Sequence, residues 1–164
     1  MRQLGLDTVT YLPAGVPWQK TGSGVTAARH RWAMTTAATK DISYFSADDR
    51  EIQRDGWTYT IDTLIEFEGE DLTLILGADA AQGIPTWHRA KEVLERAQIA
   101  VMARPGTQRE AVEDAIGRKV AWLDTLSLSV SGTELRRRAS RGESIRFLVR
   151  DAVWDYIESH SVYE

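Results

Sequence analysis

Leu72-Thr73-Leu74-Ile75-Leu76-Gly77-Ala78-Asp79-Ala80 is a short apolar strand closed by a glycine and followed at once by small and acidic residues. A continuous apolar run of this length reads as a strand covered on both faces. On its far side Arg89 to Ala97 reads as a helix that feeds a second such strand, Ile99 to Met102, stopped by Arg104-Pro105-Gly106. A further helix then leads to Val120 to Leu123. Before it, Thr60 to Glu68 is helical, with Ile61, Leu64 and Ile65 on one face. Further upstream lie a strand over Thr8 to Leu12, a helix over Thr26 to Lys40 and a strand over Ile42 to Ala47. Two helices, Gly132 to Ala139 and Arg150 to His160, finish the chain. Alternation of this kind implies βαβ units, a mostly parallel sheet and helices on its faces, an α/β fold in one domain over 1–164.

Bulk properties narrow the classes. The 164 residues suit one domain, and the net charge of -4 is the wrong sign for a protein that lives on nucleic acid. No apolar run reaches membrane-span length, and Met1 to Asp7 lack the apolar core of a signal peptide, so a cytoplasmic protein is expected. Without cysteine there is neither a disulfide framework nor a thiolate metal site. His30, His88 and His160 are far apart in the sequence, so no pair has zinc-ligand spacing. Walker, Gly-x-Gly-x-x-Gly and Gly-x-Ser-x-Gly signatures are absent.

Parallel sheets bind ligands beyond the carboxyl ends of their strands. That rule directs attention to Pro13 to Lys20, Gly77 to Ala80, Arg104 to Gly106 and Ser127 to Thr133. In the last of these, Ser131 and Glu134 have capping-box spacing. The free N–H groups of such a helix start favour an anion, with the Thr133 hydroxyl and the Arg136 fork beside them. Capping boxes are common, and spacing alone favours an ordinary capped helix with a solvated arginine face. Asp79 reads as a binding-rim residue or a plain helix cap. Trp87 reads as a stacking ring or as core filler, and His88 as a surface residue at a helix start. Thr60 and Thr63 could offer hydroxyls and N–H groups to a carboxylate, or form an ordinary helix N-terminus. Lys20 ends a stiff loop as a phosphate contact or a solvated lysine.

Taken in order, the motifs are more specific than any one of them. From Leu4 to Tyr163 they run Leu-Gly-Leu-Asp, Leu-Pro-Ala-Gly, Pro-Trp-Gln-Lys, Arg29-His30-Arg31 and Tyr-Thr-Ile-Asp-Thr-Leu. Leu-Gly-Ala-Asp-Ala, Trp-His, Arg-Pro-Gly, Val-Ser-Gly-Thr-Glu-Leu-Arg and Ser144-Ile145-Arg146-Phe147-Leu148-Val149 follow. This order resembles bacterial nicotinate-mononucleotide adenylyltransferases, and Pro-Trp-Gln-Lys is similar to the actinobacterial form. The resemblance implies a Rossmann-like nucleotidyltransferase fold and transfer of AMP from ATP to nicotinate mononucleotide. The reaction gives deamido-NAD and pyrophosphate, and magnesium accompanies the ATP. It further implies that Trp87 stacks on the pyridine ring, that Thr60, Thr63 and the His88 backbone hold its carboxylate, and that Asp79 orders the substrate. On the ATP side it implies Lys20, Gly77, Arg104, Ser131, Thr133 and Arg136.

Gly132 stands where that family usually has a second serine. The resemblance also implies an opening strand, a Gly-Gly-Thr-Phe-Asp-Pro loop and a His-x-Gly-His motif, for which the sequence has no counterpart. The first strand and most of the first helix are expected to be missing, and the chain alone is expected to be unstable or inactive. No catalytic side chain and no protein metal ligand is then assigned. Alternatives are an adenylyltransferase for phosphopantetheine or nicotinamide mononucleotide, or a non-catalytic pyridine-nucleotide-binding module. A homo-oligomer stays open; partners in nucleic acid or membrane are not expected.

Overall fold

A computed structural model describes residues 3–20, 24–103, 106–123 and 130–163, with Lys20 described by its backbone only. The elements in chain order are β1 (Val9–Tyr11), β2 (Val16–Pro17), a 3-10 turn (Trp18–Lys20), α1 (Ala28–Thr39) and β3 (Phe45–Ala47). Then come α2 (Arg50–Gln53), β4 (Trp57–Thr58), α3 (Thr60–Glu66), β5 (Thr73–Gly77) and α4 (Ala78–Gln82). A second 3-10 turn (Ile84–Thr86), α5 (Ala90–Arg96), β6 (Gln98–Met102), α6 (Arg109–Ile116), β7 (Ala121–Leu123), α7 (Gly132–Ala139) and α8 (Asp151–Ser159) complete them. All described pairings are parallel: β1 with β3, β2 with β4, and β5 with β6 with β7.

The elements fall into two compact units, Met1–Thr58 with Ser129–Glu164, and Tyr59–Leu128. In the second unit the three-stranded sheet registers Leu74 on Ile99 and Val101 on Trp122. Its core is aliphatic: Ile84, Ile99, Val101, Val112 and Ile116 are buried with Ala78 and Ala81. A neighbouring cluster of Ile61, Leu64, Val93 and Ala97 seats α3 and α5. The apolar faces read from the sequence are therefore the buried ones, because a helix must cover each face of a parallel sheet. Glu113 ties α6 to the sheet: its carboxylate accepts from Arg109 at 2.8 Å and from the Val120 N–H at 3.1 Å.

In the first unit α8 docks on α1. His30 Nδ1 and the Tyr156 hydroxyl are 2.9 Å apart, and Arg150 donates to the Ala38 carbonyl at 2.6 Å. Two histidines distant in sequence meet here, since the His30 and His160 ring centroids lie 6.3 Å apart with Tyr156 stacked on His160. Among the described residues no group of three or more His, Cys, Asp or Glu could hold a metal ion. None of their helices is long and apolar enough to cross a membrane.

The boundaries differ from the sequence reading at strand ends. Ile42 to Tyr44 belong to a turn, because the Thr39 carbonyl takes the Ile42 N–H at 3.0 Å and delays the strand to Phe45. The α3 helix stops at Glu66 rather than Glu68.

Candidate active site

In the second unit, Tyr59 precedes α3 with extended backbone, so the helix begins at Thr60 without a side-chain cap. Thr60 is half-buried, whereas Thr63 is 5% exposed and turned inward. Gly77 ends β5 and caps α4, which leaves Asp79 exposed in the first turn of that helix instead of at its cap. Trp87 follows the second 3-10 turn with extended backbone. Its indole is half-buried and packs on both aliphatic clusters, so it is core on one side and accessible on another. His88 is exposed, and its ring lies 4.3 Å from the Tyr59 ring at an interplanar angle of 33°. Packing of α3 on α5 thus brings the Tyr59 to Thr63 turn and the Trp87–His88 corner to one edge of this unit.

Sequence reasoning had passed over Tyr59 and Arg89. Arg89 has left-handed backbone (φ 52°) at the start of α5, and its fork grips Glu92 at 2.7 and 2.6 Å. A third cationic contact reaches Asp62 at 3.8 Å. Together Arg89 with the carboxylates Asp62 and Glu92 leave one net negative charge beside the corner. The Arg89 hydrogen bonds hold Glu92 below the usual carboxylate range. The i,i+3 spacing of Arg89 and Glu92 could have suggested the pair. No sequence feature signals the left-handed residue.

In the first unit the turn after β1 is clamped from several sides. Arg31 of α1 donates to the Ala14 carbonyl, to Gly15 at 2.7 Å and to Thr26 at 2.9 Å. Burial pulls its guanidinium below the ordinary arginine value. The N–H groups of Gly15 and Val16 both donate to Thr58 Oγ1. Lys20 closes this loop through the backbone of a 3-10 turn.

Further along the same unit, Ser131 caps α7: its hydroxyl accepts the Glu134 N–H at 3.2 Å. The other half of a capping box is replaced, because the Glu134 carboxylate turns outward to Arg137 and Arg138 at 2.6–2.9 Å. These cations bring its pKa down to about 2. Arg136 instead bends toward the helix start, donating to Thr133 Oγ1 at 3.3 Å. Gly132 permits this, since a Cβ there would stand 3.1 Å from the Arg136 Nη1. A hydroxyl, an exposed guanidinium and the helix N-terminus therefore converge, a geometry suited to an anion. Arg104 lies outside the described residues.

Comparison with known proteins bears on what such parts belong to. A family model described as cytidylyltransferase-like matches residues 1–138. A probable nicotinate-nucleotide adenylyltransferase of Salinibacter ruber is 35% identical over 165 residues, covering 98% of this chain and 85% of the relative. One of Pseudomonas syringae is 37% identical over 182 residues, covering 98% and 82%. The chain belongs to the nicotinate-nucleotide adenylyltransferase family. Among solved structures, Plasmodium falciparum nicotinic acid mononucleotide adenylyltransferase complexed with NaAD matches with a TM-score of 0.76 at 18% identity. That match covers 96% of this chain and 83% of the other, and the same enzyme complexed with APC gives 0.73. The likeness establishes the fold, a Rossmann-type arrangement of parallel strands flanked by helices.

Proposed function

We propose that the protein transfers the AMP part of ATP to nicotinate mononucleotide. The acceptor's phosphate oxygen attacks the α-phosphorus, the bond to the β-phosphate breaks, and pyrophosphate leaves with deamido-NAD as the other product. No covalent enzyme intermediate is required, so the chain's contribution is positioning and charge stabilisation. The observation that carries this reading is family membership sustained over 98% of the chain.

In this reading Trp87 covers the pyridine ring with its accessible face, and the start of α3 at Thr60 receives the ring carboxylate with the His88 backbone. Thr63 acts from within, steadying that turn, because its side chain is buried. Beyond β5, Asp79 orders the acceptor and Gly77 serves the ATP side. Ser131, Thr133 and Arg136 take the ATP phosphates, and Lys20 and Arg104 are assigned to the ATP side. Magnesium accompanies the ATP. Residues 1–164 fall within a single nucleotidyltransferase domain, working in the cytoplasm.

The test is turnover. Pyrophosphate release from ATP is measured with nicotinate mononucleotide, nicotinamide mononucleotide or phosphopantetheine as acceptor, with the adenylylated product weighed by mass spectrometry. Deamido-NAD formation favoured over both other products is expected. Preference for either alternative acceptor, or no adenylylation of any acceptor, would overturn the reading.

A further inference from the structure

Only two non-glycine residues among those described have positive φ, Arg89 at 52° and Ser161 at 45°. Ser161 follows the end of α8, where left-handed backbone is the ordinary way to stop a helix. Arg89 instead starts a helix, a position that normally takes extended backbone. A left-handed arginine is disfavoured by the clash of its Cβ with the next carbonyl, so the surroundings must hold it. Its neighbours show what does. Trp87, two residues before, is anchored in two aliphatic clusters, and His88 leans on Tyr59. On the other side, the guanidinium is forked onto Glu92 and reaches Asp62, one residue in α5 and one in α3. These ion pairs are exposed and individually weak. They do, however, tie the start of α5 to α3.

We infer that Arg89 is a positioning residue for the acceptor: its left-handed backbone, locked by Glu92 and Asp62, aims the Trp87–His88 corner at the pyridine nucleotide. The inference rests on the acceptor reading above. Backbone conformation is its operative part, and side-chain charge serves only to hold it.

Substitutions graded by tolerance of left-handed backbone test this. Calorimetric titration with nicotinate mononucleotide is run on wild type, R89G, R89A and R89V, alongside KM for ATP and kcat. Glycine adopts this backbone freely, so R89G is expected to stay within about threefold of wild type. R89A is expected to bind the acceptor about tenfold more weakly, and R89V more weakly again. KM for ATP and kcat are expected to remain within about twofold across the series. An R89G no better than R89A, or KM for both substrates moving together, would overturn the inference. Wild type failing to bind nicotinate mononucleotide would instead reject the acceptor reading, which keeps the two failures distinct.

Discussion

The hydroxyl oxygen of Thr58 lies 3.1 Å from the amide nitrogen of Gly15 and also receives the next amide, that of Val16, at 3.2 Å. Thr58 is buried, so one small oxygen satisfies two consecutive donors of the turn after β1. Removing it leaves both N–H groups seeking water. T58V, nearly isosteric, is expected to lose about 2 kcal/mol of unfolding free energy, read from urea denaturation. T58S keeps the oxygen and is expected to lose less than about 1 kcal/mol.

Gly15 is equally constrained from the side. A Cβ at that position would stand 2.1 Å from the Glu51 carbonyl oxygen, whereas one at Gly24 would meet nothing within 4 Å. Backbone cannot step aside as a flexible side chain can. G15A is expected to cost about 3 kcal/mol, and G24A less than about 1 kcal/mol, in thermal unfolding.

Glu134 makes α7 pH-sensitive in one direction. Its two arginine partners lower its pKa from the ordinary 4.5 to about 2. A carboxylate depressed on folding stabilises the protein above its unfolded value and loses that contribution as pH falls. Wild type is therefore expected to exceed E134Q in stability by a constant margin above pH 4.5, and the two to converge as pH drops toward 2. Parallel curves across that window in acid-titrated circular dichroism would contradict the assignment.

Trp87 is divided between packing and exposure, and two substitutions separate the two roles. W87A opens a void between the aliphatic clusters and is expected to cost about 2–4 kcal/mol in chemical denaturation. W87F keeps most of the packing, with an expected loss below about 1.5 kcal/mol.

The elements with the clearest periodicity were the most legible in the sequence. Gly132 to Ala139 is read with both ends correct, because Ser131 announces the start. The β5 and β6 strands follow from apolar runs closed by turn residues, and β7 from the run Val120 to Leu123. The two-residue strands Val16–Pro17 and Trp57–Thr58 carry no pattern, since two residues cannot show a period. Trp87 and His88 stand out as residue types, and Ser131, Thr133 and Arg136 as a spacing. What holds them does not stand out. Tyr59 meets His88 only through the packing of α3 on α5, and Arg89 depends on a backbone angle that no residue name encodes. The Glu134 carboxylate also departs from its motif, because two arginines on its own helix outcompete a backbone N–H.

The acceptor corner is tested most directly by equilibrium titration of nicotinate mononucleotide against wild type and W87F, with folding of both verified by circular dichroism. Saturable binding by wild type, weakened about tenfold in W87F by loss of ring overlap, is the expected result. Equal affinity in the two proteins, or tighter binding of phosphopantetheine than of the pyridine nucleotide, would contradict it.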